Sequence, residues 1–139
     1  MGSKGYETLF GGPSGFEMDT RNGNSTTLSL YMLGIRGGNA FSSFSFGEWY
    51  MVTMVNDGTN ELYYINGELK KTIEKKSMPT GNYFIGAWQT SSEQNFKGYM
   101  SDFRIYCTAL SANDIKALYD DAGYVDKNGN FHAYEFVEG

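Results

Sequence analysis

The residues best suited to chemistry lie in one polar run. Trp88-Gln89-Thr90-Ser91-Ser92-Glu93-Gln94-Asn95 joins an indole to amides, hydroxyls and a carboxylate. An aromatic face stacks on the C–H surface of a sugar ring, and amides take its hydroxyls. Trp88, Gln89 and Asn95 are therefore candidate sugar contacts, with Tyr99 just beyond. The plainer expectation is that Trp88 packs on a core and leaves a polar loop. Glu17-Met18-Asp19 offers two carboxylates, the minimum for glycoside hydrolysis. Its plainer expectation is two surface carboxylates on a strand. Asp126, Asn128 and Asn130 place oxygen ligands at positions 1, 3 and 5 of a calcium loop. That loop's later glycine and closing glutamate are missing, so a hairpin turn is expected there.

Other chemistries are excluded by counting. Cys107 and His132 are the only residues of their types. No intramolecular disulfide framework, cysteine-based zinc cluster or two-histidine metal motif fits one chain. A Ser-His-Asp arrangement would need His132, which reads as a solvated tail residue. Lys plus Arg number 11 and Asp plus Glu number 16, a net charge of −5. Nucleic acid and anionic membranes both call for basic patches, so neither is expected as a partner. No apolar run approaches the length of a membrane-spanning helix. Residues 1–5 lack the apolar stretch of a signal peptide and read as a tag or leader.

The elements that must position these groups are mostly strands. The 139 residues suit one domain, and 17% aromatic content can supply its core. Turn signals recur about every 8–12 residues, the spacing of an all-β sandwich or barrel. Residues 15–19 alternate apolar and polar, and residues 25–33 place Leu28, Leu30 and Met32 on one face. Asn22-Gly23 between them suits a tight turn. Residues 34–47 read as a loop or irregular strand. Residues 48–56 are apolar on both faces, which implies a covered or central strand with Trp49 in the core. Residues 62–65 and 68–74 flank Asn66-Gly67 and form the clearest hairpin. Lys70, Lys71, Lys75 and Lys76 suit a lysine-guarded edge. Residues 82–88 read as a strand, and 96–106 as a long one with a bulge near Ser101-Asp102. Ser111 and Asp114 form a capping box, Ile115, Leu118 and Tyr119 follow at helical spacing, and Gly123 reads as the C-cap. Tyr31, Tyr63 and Tyr99 look exposed and suit a protein-binding face.

From residue 47 to 119 the chain resembles the laminin G-like, or concanavalin A-like, jelly-roll family. Glu48-Trp49-Tyr50-Met51-Val52 is similar to the family's tryptophan strand. Glu61-Leu62-Tyr63-Tyr64-Ile65-Asn66-Gly67 is similar to its hairpin, and Tyr83-Phe84-Ile85-Gly86 to its isoleucine-glycine strand. Phe96 to Tyr106 is similar to its "F-x-G" strand, and Thr108 to Tyr119 to its "A-L-s" helix entry. Five weak motifs in family order over about 70 residues make a specific match. Residues 110–119 and the Ala-Tyr-Glu-Phe-Val-Glu ending also resemble modules in bacteriophage tail-associated structural proteins.

The resemblance implies an all-β, antiparallel β-sandwich jelly roll (concanavalin A-like lectin/glucanase) with one short C-terminal helix. It implies a domain over residues 6–123, lacking its first strands, then a hairpin or tail over 124–139. Relatives often bind Ca2+ at a sandwich rim, which makes Asp102 and Asp57 candidate ligands. Jelly-roll hydrolases carry a third acid near the first two; none follows Asp19 at that spacing, so no enzyme is expected. The expected role is recognition of a carbohydrate or cell-surface glycan, in an extracellular protein or on a virion surface. The alternative is an assembly module making only protein contacts with its virion neighbours. Missing first strands would leave a sheet edge open, so homo-oligomerisation through that edge is expected, unless the tail fills it.

Overall fold

The computed structural model describes residues 7–20, 28–32, 35–41, 45, 47–74, 79–88, 94–121, 123–126 and 128–133. The chain divides into two compact units. The first combines residues 1–48 and 76–100, the second 49–75 and 101–139.

The first unit is built on an antiparallel sheet. Its strands are β1 (Glu7–Gly11), β2 (Glu17–Thr20), β3 (Leu28–Met32), β4 (Ile35–Phe41) and, in chain order further on, β8 (Phe84–Ile85). They lie in the order β4-β3-β2-β1-β8. A 3-10 turn at Pro13–Gly15 joins β1 to β2, with Ser14 and Gly15 at positive φ. The ladder between β3 and β4 shifts register twice, which makes β4 the irregular strand expected of that glycine-rich stretch. Antiparallel pairing of β2 with β3 agrees with a hairpin, although Asn22-Gly23 lies outside the described residues. Three rings fill the interior. Phe10 stacks on Tyr83 at 5.5 Å, and Phe16 meets both edge-on at 5.7 Å. The Tyr83 hydroxyl donates to the carbonyl of Pro79, so its polar end is satisfied.

The second unit has an antiparallel sheet β5-β6-β7 formed by β5 (Val52–Asn56), β6 (Asn60–Ile65) and β7 (Glu68–Glu74). Asn66 and Gly67 join β6 to β7 with φ of 52° and 79°, the type I′ turn that Asn-Gly favours. The Asn66 side chain also accepts from the Met51 amide, while its own amide donates to the Met51 carbonyl. One turn residue thus clamps the entry to β5. Helix α1 (Ala112–Tyr119) starts with the expected capping box: the Ser111 hydroxyl accepts from the Asp114 amide, and the Asp114 carboxylate accepts from the Ser111 amide. Its Ile115 is fully buried with Val55, Tyr64 and Leu110, and Met51, Leu62, Tyr106 and Leu118 pack around them. A short hairpin of β9 (Gly123–Val125) and β10 (Phe131–Ala133) follows.

The structure corrects several expectations. Residues 96–106 form no strand. Asp102 sits at φ 57°, a left-handed conformation that interrupts an extended run. Phe103 and Ile105 are exposed. Trp49 is 66% exposed and not in the core, because regular strand begins only at Val52. Tyr63 is buried, since β6 is the middle strand of its sheet. Residues 48–56 are accordingly not central, as β5 is an outer strand. Glu17 and Asp19 are buried rather than surface carboxylates, because β2 is the central strand of five. The strand expected over 82–88 is reduced to Phe84–Ile85. Gly123 opens β9 instead of capping α1; Asp120 caps the helix and Asp121 takes the positive φ.

Candidate functional site

The chain segments on either side of residues 89–93 meet in a closed neck. The Phe96 amide donates to the Gly86 carbonyl at 2.9 Å, and the Gly86 amide donates to the Leu9 carbonyl at 2.8 Å. On the other side of the neck, the Thr8 amide donates to the Gln94 carbonyl at 2.9 Å, and Asn95 bridges Thr8 in parallel. Lys97 is held as well, its amide donating to Glu7 Oε2. Both flanks of residues 89–93 are therefore tied to the sheet through β1 and β8. Gly11 permits this approach: a Cβ there would lie 2.7 Å from the Ala87 carbonyl oxygen and 3.1 Å from Trp88 Cα.

The side chains at the neck have an unusual polar balance. Trp88 and Gln94 are half-buried. Trp88 Nε1 and Gln94 Oε1 are shielded from solvent and have no hydrogen-bond partner among the described residues. An orphaned buried donor or acceptor costs roughly 1–3 kcal/mol, so native proteins seldom keep one without use. Here one donor and one acceptor lie on the two chain segments that flank residues 89–93. Asn95 is exposed beside them. Tyr99 is 88% exposed, and its neighbour Met100 reaches towards Gly86 at the neck. The structure thus places Trp88 and Asn95 at one neck, and Met100, not Tyr99, is the residue of the following segment that approaches Gly86 there. Gln89 lies outside the described residues. Gln94 was missed as a candidate, because its value rests on being buried, which the sequence pattern does not reveal.

The acidic candidates are engaged elsewhere. Asp57 Oδ1 accepts from the amides of Thr59 and Asn60, the bonding of a turn-forming aspartate. Asp102 receives a two-pronged guanidinium from Arg104, at 2.7 and 2.5 Å. Asp126 Oδ1 accepts from the Asn128 and Asn130 amides, and Oδ2 lies 2.9 Å from His132 Nε2. Those partners, His132 first, hold the Asp126 carboxyl well below the usual carboxylate range. Among the described residues no three His, Cys, Asp or Glu side chains gather as a metal site, Asp57 and Asp102 included. Glu17 accepts from the Thr8 hydroxyl at 2.7 Å within the first unit's interior. In the second unit Glu61 accepts from the Tyr63 hydroxyl at 3.0 Å, and burial together with that carboxylate pushes the Tyr63 phenol up.

Antiparallel sheets and one short capped helix, with the flanks of residues 89–93 tied to a sheet edge, make this an all-β protein of the jelly-roll class. The sequence model described as the concanavalin A-like lectin/glucanases superfamily, of laminin G type, matches residues 2–116. The chain belongs to that superfamily. Among solved structures it is similar to an S-layer domain-containing protein from Clostridium thermocellum ATCC 27405, with 23% identity and a TM-score of 0.48. That likeness covers 86% of this chain and 65% of the other. No curated protein matches the chain. No helix among the described residues is long and apolar enough to cross a membrane.

Proposed function

We propose that the chain is a non-catalytic recognition module for a cell-surface glycan, acting outside the cell or on a virion surface. The supporting observation is the orphaned pair at the loop neck, Trp88 Nε1 and Gln94 Oε1. A sugar ring carries hydroxyls that both donate and accept, so a ring that enters the neck satisfies both atoms, which the fold alone shields from solvent. Its C–H face suits the Trp88 indole and the exposed Tyr99 ring, and Gln89 and Asn95 supply further amides. The burial of Glu17 in a bond to Thr8 also fits a protein that binds sugar without cleaving it.

The test is a glycan array with the protein multimerised, since avidity raises weak single-site binding to a measurable level. It is run in calcium and again in EDTA. The loop reading predicts binding in both buffers and at least a tenfold loss in a folded Trp88→Ala variant. Binding abolished by EDTA would move the site towards Asp102 and Asp57. Absence of binding in either buffer would favour an assembly module, which the exposed Tyr99, Phe103 and Ile105 also suit.

A further inference from the structure

The two edges of the second unit's sheet are built differently. Strand β7 has the devices that blunt an edge: Glu68, Lys70, Lys71 and Glu74 along its seven residues, and a register break against β6 between Tyr63 and Tyr64. Lys70 pairs with Glu68 at 2.6 Å, so charge is fixed along that edge. Strand β5 has none of them. Its sequence, Val52-Thr53-Met54-Val55-Asn56, contains no charge and no proline. It pairs with β6 without interruption from Val52↔Ile65 to Asn56↔Glu61. On its other side no strand pairs with it among the described residues. A neutral, regular edge is a template for another strand.

The same unit carries apolar side chains in solvent. Trp49 precedes β5 and is 66% exposed, while Phe103 and Ile105 are 51% and 78% exposed. Ile105 adjoins Tyr106, which packs on the cluster that holds Val55 and Met51. Between these apolar groups, Asp102 and Arg104 neutralise each other. We propose that β5 is a homodimerisation edge, with a second copy of this chain pairing antiparallel about a two-fold axis through Met54. The combined sheet has six strands, and Trp49 and the segment 103–105 flank the new ladder. Charge selects this pairing over the alternative. Two β5 edges bring no charged residue together, whereas two β7 edges would set Lys70 and Lys71 against their own copies. A two-fold contact uses the same patch twice, which a self-complementary edge satisfies. The proposal does not rest on glycan binding; it adds that each particle carries two copies of the loop 87–95.

The experiment is sedimentation of the full chain over a hundredfold concentration range, with hydrogen–deuterium exchange at both extremes. The expected result is a species near twice 15.5 kDa at the upper end. Amides in Val52–Asn56 should then exchange at least tenfold more slowly there than at the lower end. Met54→Lys places two like charges at the axis and should shift the protein to monomer; a doubled Lys70→Ser, Lys71→Ser change at the other edge should leave the dimer intact. If Met54→Lys does not fold, the exchange of the unaltered chain decides. A monomer throughout, or a dimer whose β5 amides exchange equally at both concentrations, overturns the proposal.

Discussion

Trp88 and Gln94 carry the functional argument because of what they lack. A buried N–H or C=O without a partner is a standing cost, and removing the polar atom removes the cost. Trp88→Phe keeps an aromatic ring while deleting the orphaned donor together with part of the bicycle. It should lower the denaturant midpoint by no more than the lost ring packing accounts for, while glycan binding falls several-fold. A stability loss above about 3 kcal/mol, more than the smaller ring's lost packing supplies, would mean that the indole N–H is in use within the fold. At the other end of the chain, Asp126 shows a carboxylate with every acceptor position occupied. His132 and the Asn130 and Asn128 amides hold its pKa below the ordinary 3.8. A depressed folded pKa stabilises above the unfolded value and is lost as pH falls through the folded one. The β9–β10 hairpin should therefore stay formed while ordinary aspartates protonate, and open only in stronger acid. The Asn128 and Asn130 amide shifts against pH would show it. A midpoint near 3.8 would contradict the reading.

The elements were legible where local chemistry decides them. Asn66-Gly67 satisfies the positive φ of both turn positions, and Ser111 with Asp114 closes a capping box, so each could be read from two residues. Gly67 is held from outside as well. A Cβ there would lie 2.9 Å from Lys116 Cδ and 3.2 Å from Tyr119 Cβ, at φ 79°. Gly58 has φ 95° with open space around it. Gly67→Ala should then cost roughly 2–4 kcal/mol and Gly58→Ala only about 1, since both strain the backbone but only the first meets the helix. Equal losses in thermal or denaturant unfolding would show that the turn does not press on α1. Where the sequence misled, a neighbour in space was missing from the pattern. Residues 96–106 have strand composition, yet Asp102 turns left-handed under the fork of Arg104. Glu17 and Asp19 alternate with Met18 as surface residues do, but β2 is central and all of its residues are buried. Trp49 reads as core from its type alone, and nothing local records that β5 starts three residues later.

For the whole molecule, the superfamily was legible because five ordered motifs survive between residues 47 and 119, and the family match over residues 2–116 extends it to nearly the whole N-terminal part. The site was legible only in part. Trp88, Asn95 and Tyr99 were visible as sugar-suited types, whereas the closed neck, Gln94 and the orphaned donor required the fold. The most direct test of the central claim uses the chain's two indoles. In a nitrogen–proton NMR titration with glycans retained on the array, the Trp88 indole N–H should gain a partner and move downfield with saturable dose dependence. The Trp49 indole should not follow that dose dependence. A Trp88 resonance that stays fixed while bound glycan accumulates would contradict the account and place recognition elsewhere on the protein.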